Sequence, residues 1–452
     1  MSKAKIAYVC NDCGSEYTKW QGQCNDCGAW NTLSEIRIST ATQRGGQLVS
    51  YSGSKDEIKL LKDVDLLAIP RINSGFDEFD RVLGGGLVAG SAVLIGGNPG
   101  AGKSTLLLQI MSSLSNNFST LYITGEESIQ QVAMRAKRLG LPSKKLQLAT
   151  ETNIESVISI AQKYKPKVMV VDSIQVMHTQ DLQSAPGGVS QVRECAAYLT
   201  RFAKQSNTIV FLVGHVTKDG SLAGPKVLEH MIDCSLLIEC SSDNRFRTLR
   251  GQKNRFGAVN ELGVFAMTEQ GLKEVKNPSA IFLSRPDTDN PGSVVTVLWE
   301  GTRSLLVEIQ ALVDDSQLSN PKRLAVGLDQ NRLSMLLAVL NRHGNIGISS
   351  SDVFVNVVGG IKAFETGVDL ALVLAVVSSF RSLNLPDDLI VFGEVGLSGE
   401  IRPVTSGQER LHEAKKLGFK KAIIPKANLP KKSISGINIQ GISRLTEALE
   451  LL

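Results

Sequence analysis

Gly97-Asn98-Pro99-Gly100-Ala101-Gly102-Lys103-Ser104, followed by Thr105, matches the phosphate-loop pattern G-x-x-x-x-G-K-[ST]. The apolar run from Ala92 to Ile95 before it reads as a buried strand, and the segment from Ser104 onward as a helix, which is the context the pattern requires. Glycines there let successive backbone N–H groups turn toward a polyphosphate, and the helix N-terminus adds a favourable field for an anion. The stretch therefore predicts a cradle for ATP, with Lys103 reaching the β- and γ-phosphates, Ser104 ligating Mg2+ and Thr105 supporting the loop.

Outward from the loop, Leu121 to Ile123, Val168 to Val171 and Ile209 to Val213 read as further buried strands, separated by helices starting near Ser128, Asn153 and Ser190. This alternation predicts an α/β fold, a mostly parallel sheet with helices on both faces. Asp172, at the end of its strand, is the expected magnesium carboxylate, the Walker B position. Glu126 is the expected catalytic group orienting water; Glu127 beside it either caps the next helix or shares the role. Gly214-His215-Val216-Thr217-Lys218 follows the strand at Ile209 to Val213 and brings polar groups to the strand end, where His215 reads either as a γ-phosphate sensor or as a plain strand-end residue.

From Arg245 to Gly257 the chain carries five cations, Arg245, Arg247, Arg250, Lys253 and Arg255, and no acid. In a strand Lys253 and Arg255 point the same way, toward phosphates of DNA or of ATP on a neighbouring subunit; a solvated basic strand is the bland alternative. Two loops are candidate DNA contacts, Gln183 to Ser190 with Ser184, and Ser221 to Lys226 with Lys226. Both lack aromatics, so contact with backbone phosphates is expected.

At 452 residues, 42% hydrophobic, the chain is long enough for several domains. The organisation read from composition is a four-cysteine module at 1–34, a Ser/Thr/Gln/Gly-rich linker at 35–65, the nucleotide domain at 66–275 and a third domain at 276–452. A net charge of +5 is too small to argue for nucleic acid by itself. The longest apolar stretch, Leu370 to Val377, is too short to span a membrane, and the N-terminus lacks a secretory pattern, so a cytoplasmic location is expected. Cys10-x-x-Cys13 and Cys24-x-x-Cys27, ten residues apart, predict two knuckles closing on one Zn2+. A redox C-x-x-C is the alternative, without a surrounding βαβ pattern to support it. Trp20 and Trp30 either pack on this site or face a partner.

Lys253-Asn254-Arg255-Phe256-Gly257, Leu83-Gly84-Gly85-Gly86-Leu87, Gly187 to Glu194 and Gly301-Thr302-Arg303 resemble, in that family's order, the motifs of the bacterial RadA (Sms) family of RecA-like ATPases. The resemblance covers essentially the whole chain. It implies a RecA-like core between a zinc module and a Lon-protease-like α+β domain, with Asn254, Phe256 and Gly257 joining the DNA-contact candidates. It also implies a nucleoid-associated, DNA-dependent ATPase that drives branch migration on single-stranded and branched DNA, alongside the RecA recombinase, as a homo-hexameric ring. The stretch Val391 to Val404 is similar to the Lon fold, yet by register the Ser and Lys positions of that peptidase fall at Gly367 and Gln408, so no peptidase activity is expected. Lys420, Lys421, Lys426, Lys431 and Lys432 then read either as a DNA-contacting or as a solubilising surface. A signalling ATPase indifferent to DNA and an ATP-dependent Lon-like protease are the rival readings.

Overall fold

The computed structural model describes residues 5–10, 15–38, 70–142, 145–215, 226–240, 245–279, 283, 290–317 and 320–452. The chain forms two compact units, one ending at Val275 and the other running from Lys276 to Leu452.

Near the N-terminus, strands Lys5–Cys10 and Leu33–Ile38 pair antiparallel, from Lys5 opposite Ile38 to Cys10 opposite Leu33. The expected linker at 35–65 therefore starts too early. From Glu35 to Ile38 polar and apolar residues alternate, the period of a strand, and the module's pairing extends through Ile38. Most of that linker, residues 39–69, lies outside the described residues.

The nucleotide domain is a nine-stranded sheet. Its strands and helices in chain order are α1 (Asp77–Val82), β1 (Ala92–Gly97), α2 (Lys103–Leu114), β2 (Thr120–Thr124), α3 (Ile129–Arg138), β3 (Gln147–Thr150), α4 (Ile154–Tyr164), β4 (Val168–Asp172), α5 (Val189–Ser206), β5 (Ile209–Val213), α6 (Lys226–Met231), β6 (Cys234–Cys240), β7 (Phe246–Asn254), β8 (Leu262–Thr268) and β9 (Gly271–Glu274). Across the sheet the order is β9-β8-β7-β6-β1-β5-β4-β2-β3. The strands from β6 to β3 are parallel, and β7 to β9 add an antiparallel wing. β1, β2, β4 and β5 are buried along their whole length because helices cover both faces. Leu106, Ile110, Val132 and Phe211 belong to one core; Val157, Cys195, Leu199 and Leu212 belong to the core on the other face. The helix starts agree with the sequence signals, since Ser128 caps α3 in a reciprocal capping box with Gln131 and Asn153 caps α4. Glu127 is therefore not a cap; it pairs with Arg135.

Two sequence motifs distant in the chain meet here backbone to backbone. A Cβ built on Gly257 would lie 2.9 Å from the Gly84 Cα, and one on Gly84 would lie 2.9 Å from the Gly257 Cα. Arg71 locks the contact by donating to Leu83 O at 3.1 Å and to Phe256 O. Gly257→Ala is expected to destabilise this unit by about 1–3 kcal/mol, because backbone, not a flexible side chain, must move. Urea unfolding followed by circular dichroism checks it, and an unchanged midpoint would show that the two turns separate freely.

The second unit holds a seven-stranded sheet, β10 (Ser293–Glu300), β11 (Arg303–Asp315), β12 (Arg323–Val326), β13 (Ser351–Val357), β14 (Leu389–Val391), β15 (Lys421–Pro425) and β16 (Asn438–Ile442), in the order β12-β13-β11-β10-β14-β15-β16. Helices α7 (Gln330–His343), α8 (Asp369–Arg381), α9 (Gly407–Lys416) and α10 (Leu445–Glu450) complete it as an α+β domain. Gly367 sits in a buried turn just before α8, while Gln408 is exposed on α9. Arg410 is fully buried; its guanidinium meets Glu365 at 2.6 and 2.8 Å and donates to the carbonyls of Val297 and Thr405.

Candidate nucleotide site and metal module

The phosphate loop leaves the C-terminal end of β1 and enters α2 through Gly102, whose φ of 103° favours glycine. Gly97 is needed for a different reason: a Cβ there would meet Ile238 O at 2.5 Å. No side chain caps α2 and its first turn holds no acid, so its N–H groups stay available to an anion. Lys103 is 5% exposed, and its Nζ donates to Gly97 O at 2.7 Å and Asn98 O at 3.1 Å. Burial lowers its pKa, while Asp172 and Glu126 pull the other way.

The ends of β2, β4 and β5 deliver Glu126, Asp172 and His215 to the same place. Asp172 is 7% exposed; burial raises its pKa, and hydrogen bonds from Tyr122 and Ser104 oppose that shift. Ser104 and Asp172 thus share one spot, and a hydroxyl beside a carboxylate is the oxygen donor set that Mg2+ takes in such loops. His215 stands between the other groups, Nδ1 3.4 Å from Lys103 Nζ and Nε2 3.3 Å from Glu126 Oε1. Lysine can only donate and a carboxylate can only accept, so Nδ1 faces a donor and Nε2 an acceptor. Glu126 also accepts from the Ser173 hydroxyl. Thr217 and Lys218 lie outside the described residues.

Sequence reasoning missed Tyr122 and Ser173. Tyr122 shares a face of β2 with Thr124, which pairs with Asp172 in the parallel register. That register supplies the signal, and it is legible only once the strand pairing is known.

The cationic stretch divides on inspection. Arg245 and Arg255 are exposed, and Lys253 and Arg250 half-buried. Arg247, expected at DNA, is instead 5% exposed and donates from Nε to Ala101 O at 3.0 Å, bracing the phosphate loop. The alternation of β7 turns its side chain inward, where a long cation reaches a backbone acceptor. Asn254 and Phe256, both half-buried, also make contacts within the chain. Asn254 accepts from Phe256 N at 2.9 Å, and the Phe256 ring packs on the core. Gly257 serves the close contact with Gly84. Lys253 and Arg255 do point the same way, toward the junction of α6 and β6: Lys253 donates to Ile232 O at 2.9 Å and Arg255 to His230 O at 3.4 Å.

Ser184 is corrected too. Its hydroxyl is buried and its carbonyl accepts from Gln191 at 2.9 Å, so the loop is pinned from within by Gln191, 1% exposed. Gln191 also bonds Thr179 and Leu182. Of the second expected DNA loop, residues 221–225 lie outside the described residues, and Lys226 opens α6.

In the N-terminal module the Sγ atoms of Cys10, Cys24 and Cys27 converge within 4.8 Å of one another. Cys13 lies outside the described residues. Thr32 and Tyr17 hydroxyls approach Cys10 and Cys24 sulfurs, each at 3.2 Å, the kind of outer hydrogen bonding that steadies metal thiolates. The thiols fit one tetrahedral zinc. Trp20 and Trp30 are 56% and 67% exposed, so neither is enclosed around the site. Zinc removal by a chelator is expected to release about one ion per chain and to unfold this module alone, because so short a segment folds on its metal. Metal analysis with tryptophan fluorescence checks it; unchanged emission from the stripped protein would contradict a metal-dependent fold.

Three family models match parts of the chain. Residues 8–35 match a rubredoxin metal-binding domain, residues 56–221 an AAA domain and residues 328–428 the family described as subunit ChlI of Mg-chelatase. Among the described residues no helix is long and apolar enough to cross a membrane. The chain is 63% identical to the DNA repair protein RadA of Haemophilus influenzae over 100% of its own length and 99% of the relative's. The RadA of Escherichia coli gives the same identity and coverage, and that of Bacillus subtilis is 47% identical over 99% of each chain. With a RecA-like ATPase core, a zinc ribbon and a Lon-like C-terminal domain in one polypeptide, the chain belongs to the family of DNA repair protein RadA.

Proposed function

We propose that the chain is a DNA-dependent ATPase that processes homologous recombination intermediates, driving branch migration during RecA-mediated strand exchange as a hexameric ring. The observation that carries the ATPase reading is the convergence of Lys103, Ser104, Asp172 and Glu126 beyond the C-terminal ends of the parallel strands β1, β4 and β2. In this reading Lys103 leaves the loop carbonyls for the β- and γ-phosphates of ATP. Ser104 and Asp172 hold Mg2+, which neutralises developing phosphate charge. Glu126, steered by His215 and Ser173, orients the attacking water. Lys253 and Arg255 are offered to phosphates outside their own subunit, and Arg245 and Lys226 remain candidates for the DNA backbone. The named function of the relatives supports DNA as the partner. Cytoplasmic, nucleoid-associated action belongs to the same proposal.

The test is ATP hydrolysis by full-length, zinc-replete protein with and without single-stranded and branched DNA at stated low salt, because phosphate contacts weaken steeply with salt. Stimulation by DNA is the expected result; equal rates with and without DNA would favour a signalling ATPase. Casein stays intact in the same reaction, since Gly367 and Gln408 offer neither nucleophile nor base.

A further inference from the structure

Asp233, in the turn between α6 and β6, is 1% exposed, and its carboxylate faces two cations. Lys204 Nζ on α5 lies 3.0 Å from Oδ1 and 3.1 Å from Oδ2, and Ala92 N donates to Oδ2 at 3.0 Å. Arg255 reaches the same Oδ1 at 3.4 Å with half of its side chain in solvent. The two contacts differ in kind. The lysine contact is short and shielded; the arginine contact is long and wet. A buried carboxylate stripped of every cation would be costly, but this one keeps Lys204 and the Ala92 N–H when Arg255 departs. Two cations on one carboxylate also leave a surplus positive charge, which an incoming anion can use.

We propose that Asp233 is a parking site for Arg255: it holds the guanidinium on its own subunit until a phosphate oxyanion takes it, and Lys204 stays behind to neutralise the carboxylate. The inference rests on the reading of the chain as a DNA-dependent ATPase and adds Asp233 and Lys204 to it as positioning residues, acting through Arg255. While Arg255 is parked, its bond to His230 O also ties down the C-terminal end of α6, the helix that follows the expected second DNA loop. Transfer of the guanidinium releases that tie, so phosphate capture and movement of α6 become one event. The phosphate belongs either to ATP on a neighbouring copy or to the DNA backbone, the same oxyanion chemistry from two sources.

Two substitutions separate parking from mere structure because they act in opposite directions. Asp233→Asn keeps an acceptor for Ala92 N but frees Arg255; Lys204→Gln makes Arg255 the carboxylate's one strong counter-ion and holds it in place. Where the phosphate is a neighbour's ATP, Asp233→Asn in full-length protein is expected to raise DNA-free ATP hydrolysis about two- to fivefold, the scale of a half-exposed ion pair, and Lys204→Gln to lower it by a similar factor; where it is DNA's, the same opposite shifts appear in poly(dT) binding. In an Arg255→Ala background neither change has an effect. Tighter binding of a poly(dT) oligonucleotide by Asp233→Asn without nucleotide, with a salt slope steeper by about one, assigns the phosphate to DNA. A lowered KM for ATP assigns it to the nucleotide of a neighbour. Shifts in the same direction for both variants, effects that persist without Arg255, or unchanged hydrolysis together with unchanged poly(dT) binding overturn the proposal. Should Asp233→Asn fail to fold, Lys204→Gln with and without Arg255→Ala decides alone. A wild-type protein that hydrolyses ATP but ignores DNA overturns the functional reading, while the DNA-free rates of the variants still judge the parking site.

Discussion

Lys103→Ala is expected to lower ATP turnover by roughly two to three orders of magnitude, the loss seen when one preorganised charge donor is removed from a transition state. Among the described residues no neighbour is placed to substitute. Nζ already sits inside the loop on Gly97 O and Asn98 O, so it reaches phosphate by a small side-chain movement. The nearby cation Arg247 is committed to Ala101 O. The variant should nevertheless stay folded, because burial lowers the Lys103 pKa and keeping that ammonium desolvated is a cost to the native state. Single-turnover hydrolysis and thermal melting, measured together, check both halves. Turnover within tenfold of wild type would remove Lys103 from the chemistry, and a collapsed melting transition would make its role structural.

Arg410→Met is expected to cost the second unit about 3–5 kcal/mol, because it strips the buried partner from Glu365 and leaves a carboxylate without its two short bonds. The same substitution leaves Val297 O and Thr405 O without the guanidinium. A matched Arg410→Met, Glu365→Gln double variant should recover part of the loss, since removing both charges is less harmful than stranding one. Guanidinium unfolding of the full chain reads this as an early transition for the single variant that moves back for the double. An unshifted transition would mean that the pair contributes nothing.

Much of this was legible in the sequence, and for identifiable reasons. The phosphate loop, Asp172 and Glu126 lie on strand ends announced by short apolar runs, and the caps Ser128 and Asn153 act locally, so neighbouring residues suffice to place them. Arg247 and Ser184 were misread because a cation or hydroxyl in a polar-looking run was taken to face solvent. Their true orientation depends on which face of β7 packs on the phosphate loop and on Gln191 reaching back into its own loop. Both are tertiary facts. Asp233 and Lys204 carried no local signal either, since the pair joins α5 to the start of β6 across 29 residues. The end of the zinc module was misjudged by composition, where the period-two alternation through Ile38 was the better guide.

The close approach of Gly84 to Gly257 has a consequence for how such a protein changes over evolutionary time. The triple-glycine turn and the cationic motif are far apart in the chain, yet neither can acquire a side chain at its contact point unless the other gives way. A side chain gained at one position therefore has to be accommodated by backbone movement at the other. Chimeras assembled from divergent relatives should therefore keep both segments from the same parent, since the cost of mixing them falls on the pair and not on either alone.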